Sequence, residues 1–416
     1  MKVSAYNVLV RLAALPAVGY TLWRANRDGG GRYFRQRLGR DAPEGPFDYW
    51  LHCASVGEVR AAAPLVRALA EGTASLLVST ATPTGADAAE KAFPEGVVHA
   101  YLPLDLPGGV RRFLDQACPR QALVVETELW PNLFAACERR GIPLTIVNGR
   151  LSPRTMEAPA WLRRAYRTAL RSVAECLARS EEDAERFRGL GMPDQRIRVL
   201  GNLKFAQMAD LQREAEVDRL LERPYVLAGS TREGEEAMLS RLWKRVGDAE
   251  RLLVIAPRHP ERREAILREL AEVTEKVAVR SRGEPVARDT EVYLADTLGE
   301  LTGFMAHADL VFLGGSLVPK GGHNLLEPAA LGKLVVVGPY MENFAEETRL
   351  LLEGGGAVQV ADEAELEVAL DRLLASPEAR ERIGGAARAT VTANSGVLAD
   401  YVAAVTGSRE TIGQSS

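Results

Sequence analysis

The sequence predicts an α/β protein made of two doubly wound, Rossmann-like domains, and three observations predict it. Apolar runs of strand length alternate with helix-length segments, first from Phe47 to Leu200 and again from Tyr225 to Val337, the pattern of parallel sheets with helices on both faces. At 416 residues the chain exceeds what one ordinary core organises. A glycine-rich stretch, Gly314-Gly315-Ser316-Leu317-Val318-Pro319-Lys320-Gly321-Gly322-His323, joins the apolar run Leu310–Leu313 to a helix start at Asn324. Glycines after a strand let the backbone approach a ligand closely, and a helix N-terminus offers free N–H groups and positive dipole to a phosphate. Lys320 and His323 are expected to add positive charge, and Glu327, one turn into the helix, suits the two hydroxyls of a ribose. The spacing is neither GxGxxG nor GxxxxGK[ST], so the common nucleotide fingerprints do not apply.

The balance of residues is that of a folded, soluble body, with 46% hydrophobic and 26% charged. The net charge of −4 conceals an asymmetry. Residues 1–40 hold eight basic side chains against Asp28 alone, a net of +7, whereas the remainder has 44 basic and 55 acidic residues, a net of −11. A basic end on an acidic body suits an anionic membrane surface. Aromatic residues are only 6%, and those near the basic cluster, such as Trp23, Tyr33 and Phe34, follow no RNA-binding pattern, so no nucleic-acid partner is expected. Cys53, Cys118, Cys137 and Cys176 form no CxxC, and with five scattered histidines they predict neither a zinc site nor a disulfide framework, in keeping with the cytosol.

The apolar segment Val3 to Trp23 is interrupted by Asn7, Arg11 and Pro16, which makes it a poor spanning helix. Trp23-Arg24-Ala25-Asn26-Arg27 follows it in place of a small-residue cleavage site, so it does not read as a signal peptide. It is expected to lie in or dip into the bilayer face, with arginines at the headgroups. Phe47 to His52 opens the first sheet and runs through the small residues Ala54-Ser55 into the helix Val59 to Ala70. Further strands are expected at Ser75 to Thr80, Ala122 to Glu126, Leu144 to Val147 and Ile197 to Leu200, with an amphipathic helix from Arg179 to Leu190. The second series comprises Tyr225 to Ala228, Leu252 to Ile255, Val292 to Leu294, Leu310 to Leu313 and Leu334 to Val337, then helices from about Glu363 to Thr392. The expected division is a membrane-associated segment over 1–40, a first domain over 41–205, a linker over 206–223, a second domain over 224–406 and a loose tail over 407–416.

Ligands of such sheets gather at the carboxyl ends of the strands, where Glu58, Glu126 and Asn148-Gly149-Arg150 stand in the first domain. Transfer of a sugar from a nucleotide needs a base for the acceptor hydroxyl, positive charge for the departing phosphate and support for an electron-poor carbon. Glu58, on a strand–helix turn, is the expected base. Glu126 and Glu128 precede the helix start at Pro131, where capping is the alternative role. Lys204 closes the last strand region of the first domain, and Arg258 follows a strand in the second, placed for a phosphate or a base edge. No Asp-x-Asp occurs, which favours a metal-free mechanism or a nucleoside monophosphate donor.

Five motifs, in this order, resemble the 3-deoxy-D-manno-octulosonic acid (Kdo) transferase family. They are Trp50-Leu51-His52-Cys53-Ala54-Ser55-Val56-Gly57-Glu58, Glu126-Thr127-Glu128-Leu129-Trp130-Pro131-Asn132, Gly201-Asn202-Leu203-Lys204-Phe205, Pro257-Arg258-His259-Pro260-Glu261-Arg262, and the glycine stretch through Asn324-Leu325-Leu326-Glu327. The resemblance covers the chain to about Pro339 and implies a GT-B glycosyltransferase that moves Kdo from CMP-Kdo to a lipid A precursor, lipid IVA, at the cytoplasmic face of the inner membrane. It implies Glu58 as proton acceptor, and Glu126 and Lys204 in transition-state stabilisation. It implies CMP contacts at Pro257 and Arg258, at Leu298, Gly299 and Glu300, and at Asn324, Leu325, Leu326 and Glu327, with no metal. Gly149-Arg150 departs from the Ala-Arg expected after Asn148. The competing readings are another enzyme of this architecture acting on a UDP-sugar, as transferase or 2-epimerase, and a non-enzymatic membrane-bound nucleotide sensor.

Overall fold

The computed structural model describes residues 4–126, 129–208, 211 and 219–413. It divides into two compact units, Met1–Gln207 with Gly396–Ser416, and Met208–Ser395.

The first unit is built on seven parallel strands: β1 (Phe47–Cys53), β2 (Leu76–Thr80), β3 (Val98–Tyr101), β4 (Pro119–Val125), β5 (Leu144–Gly149), β6 (Glu175–Ala178) and β7 (Ile197–Val199). Their order is β3-β2-β1-β4-β5-β6-β7. Successive residues of a strand point to opposite faces, and here both faces are covered. Trp50, Ala122 and Val124 enter one apolar cluster, while Tyr49, Leu51, Leu123 and Val125 enter another. The second unit repeats the plan with β8 (Tyr225–Thr231), β9 (Leu252–Pro257), β10 (Val277–Val279), β11 (Val292–Leu294), β12 (Leu310–Leu313), β13 (Val335–Val337) and β14 (Ala357–Gln359). That order is β10-β11-β9-β8-β12-β13-β14, again all parallel. In each sheet the order reverses once beside the first strand, between β1 and β4 and between β8 and β12. The loops leaving those strands turn to opposite faces, and that divergence opens a crevice at their carboxyl ends.

The sequence reading did not identify β3, β6, β10 and β14. All are three or four residues long, too short to show a period, and three of them lie at sheet edges. The C-terminal end of the second domain needs correction. That unit ends at Ser395, and the helix Val397–Gly413 packs on the first unit instead of ending as a domain helix at 406 followed by a loose tail. The cause is an apolar stripe at helical spacing: Val397, Tyr401, Ala404 and Val405 are buried with Leu177, Leu203 and Ala206. The Tyr401 hydroxyl donates to the Gly201 carbonyl at 2.9 Å. Half of the expected linker over 206–223 lies outside the described residues.

The N-terminal segment forms the helices Ser4–Leu12 and Ala14–Arg24, a turn of π-helix and the helix Gly30–Arg37. None of the described helices is long and apolar enough to cross a membrane.

Replacing Tyr401 by Ala removes a fully buried ring, and such truncations cost about 3–5 kcal/mol. Urea unfolding followed by circular dichroism should show a loss of this size. A variant as stable as the parent would mean that the C-terminal helix is not docked on the first unit.

Candidate functional site

In the first unit the reversal point carries two glutamates. Ser55, extended at φ −124°, caps the helix Val56–Glu71, its Oγ accepting from the Glu58 N–H at 3.3 Å. Glu58 answers as the third helical residue: Oε1 accepts from the Ser55 hydroxyl at 2.9 Å and Oε2 from the Ala54 N–H at 2.7 Å. The reciprocal pair explains how a glutamate with 9% exposure is held at the end of β1. Glu126 follows β4, the neighbour of β1, in a left-handed conformation at φ 58° that non-glycine residues seldom adopt. Burial, then Glu58, then Glu126 push the Cys53 thiol well above its ordinary range, so both carboxylates act on the same sulfur at the last residue of β1.

The capping role open to Glu126 is filled by Asp105. Its carboxylate accepts from the Asn132 and Leu133 N–H groups at 3.0 and 2.8 Å, at the start of the helix Pro131–Arg139, and from the Tyr6 hydroxyl at 2.8 Å. Glu128 lies outside the described residues. Lys204 is half-buried in the turn of 3₁₀ helix Leu203–Gln207, with its N–H donating to Asn202 Oδ1 at 3.1 Å.

In the second unit the glycine stretch leaves β12 beside the end of β8. A Cβ on Gly314 would lie 2.4 Å from the Thr231 Cα, so only glycine fits, and Gly315 takes φ 68°. The turn is fastened by Glu235, which has no exposed surface. Its carboxylate accepts from the N–H groups of Gly315 at 2.7 Å, Arg232 at 2.9 Å and Leu317 at 3.3 Å. Burial raises the Glu235 carboxyl above its ordinary range, and these backbone donors oppose that shift.

Arg232 and Glu235 were not singled out in the sequence. Arg232 Nη1 donates to His259 Nε2 at 2.9 Å and its Nε to His323 Nε2 at 3.4 Å. A guanidinium only donates, so the His259 ring proton is on Nδ1, which donates to Glu261 at 3.0 Å. The expectation of positive charge on His323 is corrected. Burial first, then Arg232, Arg258 and His259, lower its imidazole from 6.5 to about 4, so it is neutral at pH 7. Arg258 is exposed after β9, its N–H donating to the Thr231 carbonyl at 3.0 Å, and Lys320 is exposed on the loop. Arg232, Arg258 and the two histidines therefore gather at the carboxyl ends of β8, β9 and β12.

The other expected nucleotide residues are placed unevenly. Pro257 is the buried last residue of β9. Leu298 is 82% exposed, Gly299 has φ 88°, and Glu300 binds the Arg280 guanidinium through both oxygens, which with Thr297 lowers its carboxyl below the ordinary range. The side chains of Leu325 and Leu326 are wholly buried, so only their main chain can meet a ligand. Asn324 Oδ1 accepts from the Leu326 N–H at 3.1 Å and its amide donates to Glu327 at 3.0 Å. The helix that follows is only Leu326–Ala330, starting two residues after Asn324, so positive charge at this end comes mainly from the arginines. Among the described residues, no three His, Cys, Asp or Glu side chains are grouped as a metal site.

Residues 32–207 match the family described as 3-deoxy-D-manno-octulosonic-acid transferase (kdotransferase). The chain is 35% identical to the 3-deoxy-D-manno-octulosonic acid transferase of Haemophilus influenzae over 382 residues, covering 88% of this chain and 90% of that protein. With the transferase of the same name from Bordetella pertussis the identity is 35% over 417 residues, covering 94% and 96%. In fold it is similar to a glycosyltransferase from Rickettsia africae, with TM-score 0.60, 12% identity and coverage of 87% and 99%. It is also similar to the UDP-GlcNAc 2-epimerase of Neisseria meningitidis, with TM-score 0.58, 14% identity and coverage of 85% and 99%. The chain belongs to the Kdo transferase family, and its two parallel-sheet units are of the GT-B kind.

His52, His99 and His323 are held neutral by burial, their imidazoles lowered to about 3, about 4 and about 4. The unfolded chain takes up protons near 6.5 that the folded chain refuses, so stability should fall as pH drops from 6.5 toward 4. In urea unfolding across this range, His323→Gln should flatten the fall. An unchanged pH profile would contradict the placement of His323.

Proposed function

We propose that this chain transfers Kdo from CMP-Kdo to a hydroxyl of a lipid A precursor such as lipid IVA. The observation that carries the reading is the pair Glu58 and Glu126 at the carboxyl ends of the adjacent strands β1 and β4. Glu58 takes the proton of the acceptor hydroxyl as its oxygen attacks the anomeric carbon. The bond from that carbon to the CMP phosphate breaks with inversion, and the electron pair leaves with the phosphate. Glu126 supports the electron-poor carbon and Lys204 stabilises the negative charge that develops. Arg232 and Arg258 receive the nucleotide phosphate, and Glu327, Glu300 and the main chain of Leu325 complete the CMP site. The leaving group carries one phosphate and the sequence lacks Asp-x-Asp, so the reaction is assigned no divalent metal.

The acceptor is a lipid, and the N-terminal helices suit it. Leu12 and Leu15 are 71% and 84% exposed, and Tyr20 and Trp23 are exposed beside them. Arg27 lies over the Trp23 ring, 5.4 Å from its centre, a pairing suited to a headgroup boundary. The reading places these helices on the cytoplasmic face of the inner membrane.

Glu58→Gln keeps size and hydrogen bonding but cannot accept the proton, so kcat should fall about 10²–10⁴-fold, roughly 3–5 kcal/mol in the barrier. CMP affinity should stay unchanged, because the nucleotide is assigned to the other unit. Arg232→Ala should do the reverse, weakening CMP binding by about 1.5–3 kcal/mol in calorimetric titration. A folded Glu58→Gln enzyme with normal turnover would remove Glu58 from the role of base.

Leu12→Glu combined with Leu15→Glu should move the protein from the membrane to the soluble fraction while leaving CMP binding intact. Retention on membranes would place the anchor elsewhere.

A further inference from the structure

The last residue but one of β5 is given no part by the mechanism above. Asn148 has no exposed surface and adopts φ 54°, in the left-handed region. On the neighbouring strand Glu126 does the same at φ 58°. Two adjacent strand ends held in this costly conformation mark a place where geometry has been fixed at the expense of local stability. The hydrogen bonds show what is fixed. The Glu126 N–H donates to the Val147 carbonyl at 2.9 Å, and the Leu203 N–H donates to Asn148 Oδ1 at 3.0 Å. Consecutive residues of β5 therefore hold the turn that carries Glu126 and the turn that carries Lys204. Asn202 Oδ1 then accepts from the Lys204 N–H at 3.1 Å, so the lysine is one short relay from the strand.

The other half of the Asn148 amide argues against a purely stabilising role. Its Nδ2 is buried with no hydrogen-bond partner among the described residues, and a buried donor left so costs about 1–3 kcal/mol. Asparagine tolerates the left-handed conformation and also supplies the acceptor that reaches Leu203. Glycine would meet the first need without the buried donor, but it could not meet the second.

We propose that Asn148 is a positioning residue for transfer, holding the Leu203 N–H so that Lys204 and Glu126 are both referenced to the end of one strand. The proposal rests on the assignment of Lys204 to transition-state stabilisation. A misplacement of about 1 Å can cost on the order of 10²-fold in rate, which gives the loss of this contact its scale.

The test is a double-mutant cycle on the full-length enzyme with CMP-Kdo and lipid acceptor, measuring kcat, KM for CMP-Kdo and melting temperature. Asn148→Gly keeps the backbone conformation and deletes the acceptor, so kcat should fall about 10- to 100-fold while KM for CMP-Kdo changes less than about two-fold. In a Lys204→Ala background the same substitution should lower kcat no further, because the group it positions is gone. If the two losses multiply, Asn148 does not act through Lys204 and the proposal is overturned. A Lys204→Ala enzyme with full kcat would overturn the role of Lys204 and this proposal with it. Should Asn148→Gly fail to fold, Asn148→Asp decides the matter. It retains the acceptor and the tolerance of positive φ, and should keep kcat within about five-fold, whereas a folded Asn148→Asp enzyme below a tenth of parental kcat overturns the proposal.

Discussion

The reversal of strand order beside β1 and again beside β8 is the constraint on which the rest of this protein depends. A parallel strand cannot turn back on itself, so each helix crosses over the sheet, and neighbouring strands that send their helices to opposite faces leave their carboxyl ends uncovered between them. Every group assigned a direct part in the chemistry stands at the carboxyl end of a strand or in the loop or first helical turn that follows one. Glu58 and Glu126 follow the two strands that flank the first reversal, while Arg232 and Gly314 follow the two that flank the second. The same topology serves structures that share little sequence with this chain, which is why the fold alone does not choose a substrate.

Within that frame, each unit fixes its reactive groups with buried polar contacts. In the first, the Ser55–Glu58 capping pair makes one side chain both a helix cap and a candidate base, so its orientation does not depend on substrate. In the second, the Glu235 carboxylate gathers three backbone N–H groups of two loops that meet only in the folded state. Removing one partner of such a buried set leaves the others unsatisfied, which is more costly than the net gain of forming it. That asymmetry makes the glycine turn rigid. The arginines stand beside it, Arg232 bound to His259 and His323 and Arg258 exposed, placed to meet an anion.

Much of this was legible in the sequence. Strand ends can be read from apolar runs, so Glu58, Glu126 and Arg258 are placed at strand ends without coordinates, and the glycine stretch announces a close approach that the Gly314–Thr231 contact explains. What could not be read depends on partners distant in the chain. Asp105 caps a helix 27 residues away, Glu235 holds a loop 80 residues away, and Tyr401 reaches a carbonyl 200 residues back. No local pattern announces such contacts. His323 was assigned the wrong charge for a related reason: its imidazole responds to burial and to two arginines that only the fold places beside it. The apolar stripe of the C-terminal helix, by contrast, is present in the sequence at Val397, Tyr401, Ala404 and Val405.

The central claim is that these two sites perform one reaction, transfer of Kdo from a cytidine monophosphate donor to a lipid A precursor. Its most direct test is mass spectrometry of the lipid after incubation of the purified protein with CMP-Kdo, with parallel reactions containing UDP-sugars. The account predicts a lipid heavier by one or more Kdo residues with CMP-Kdo and an unaltered lipid with each UDP-sugar. An unaltered lipid with CMP-Kdo, or a product formed from a UDP-sugar, would contradict it.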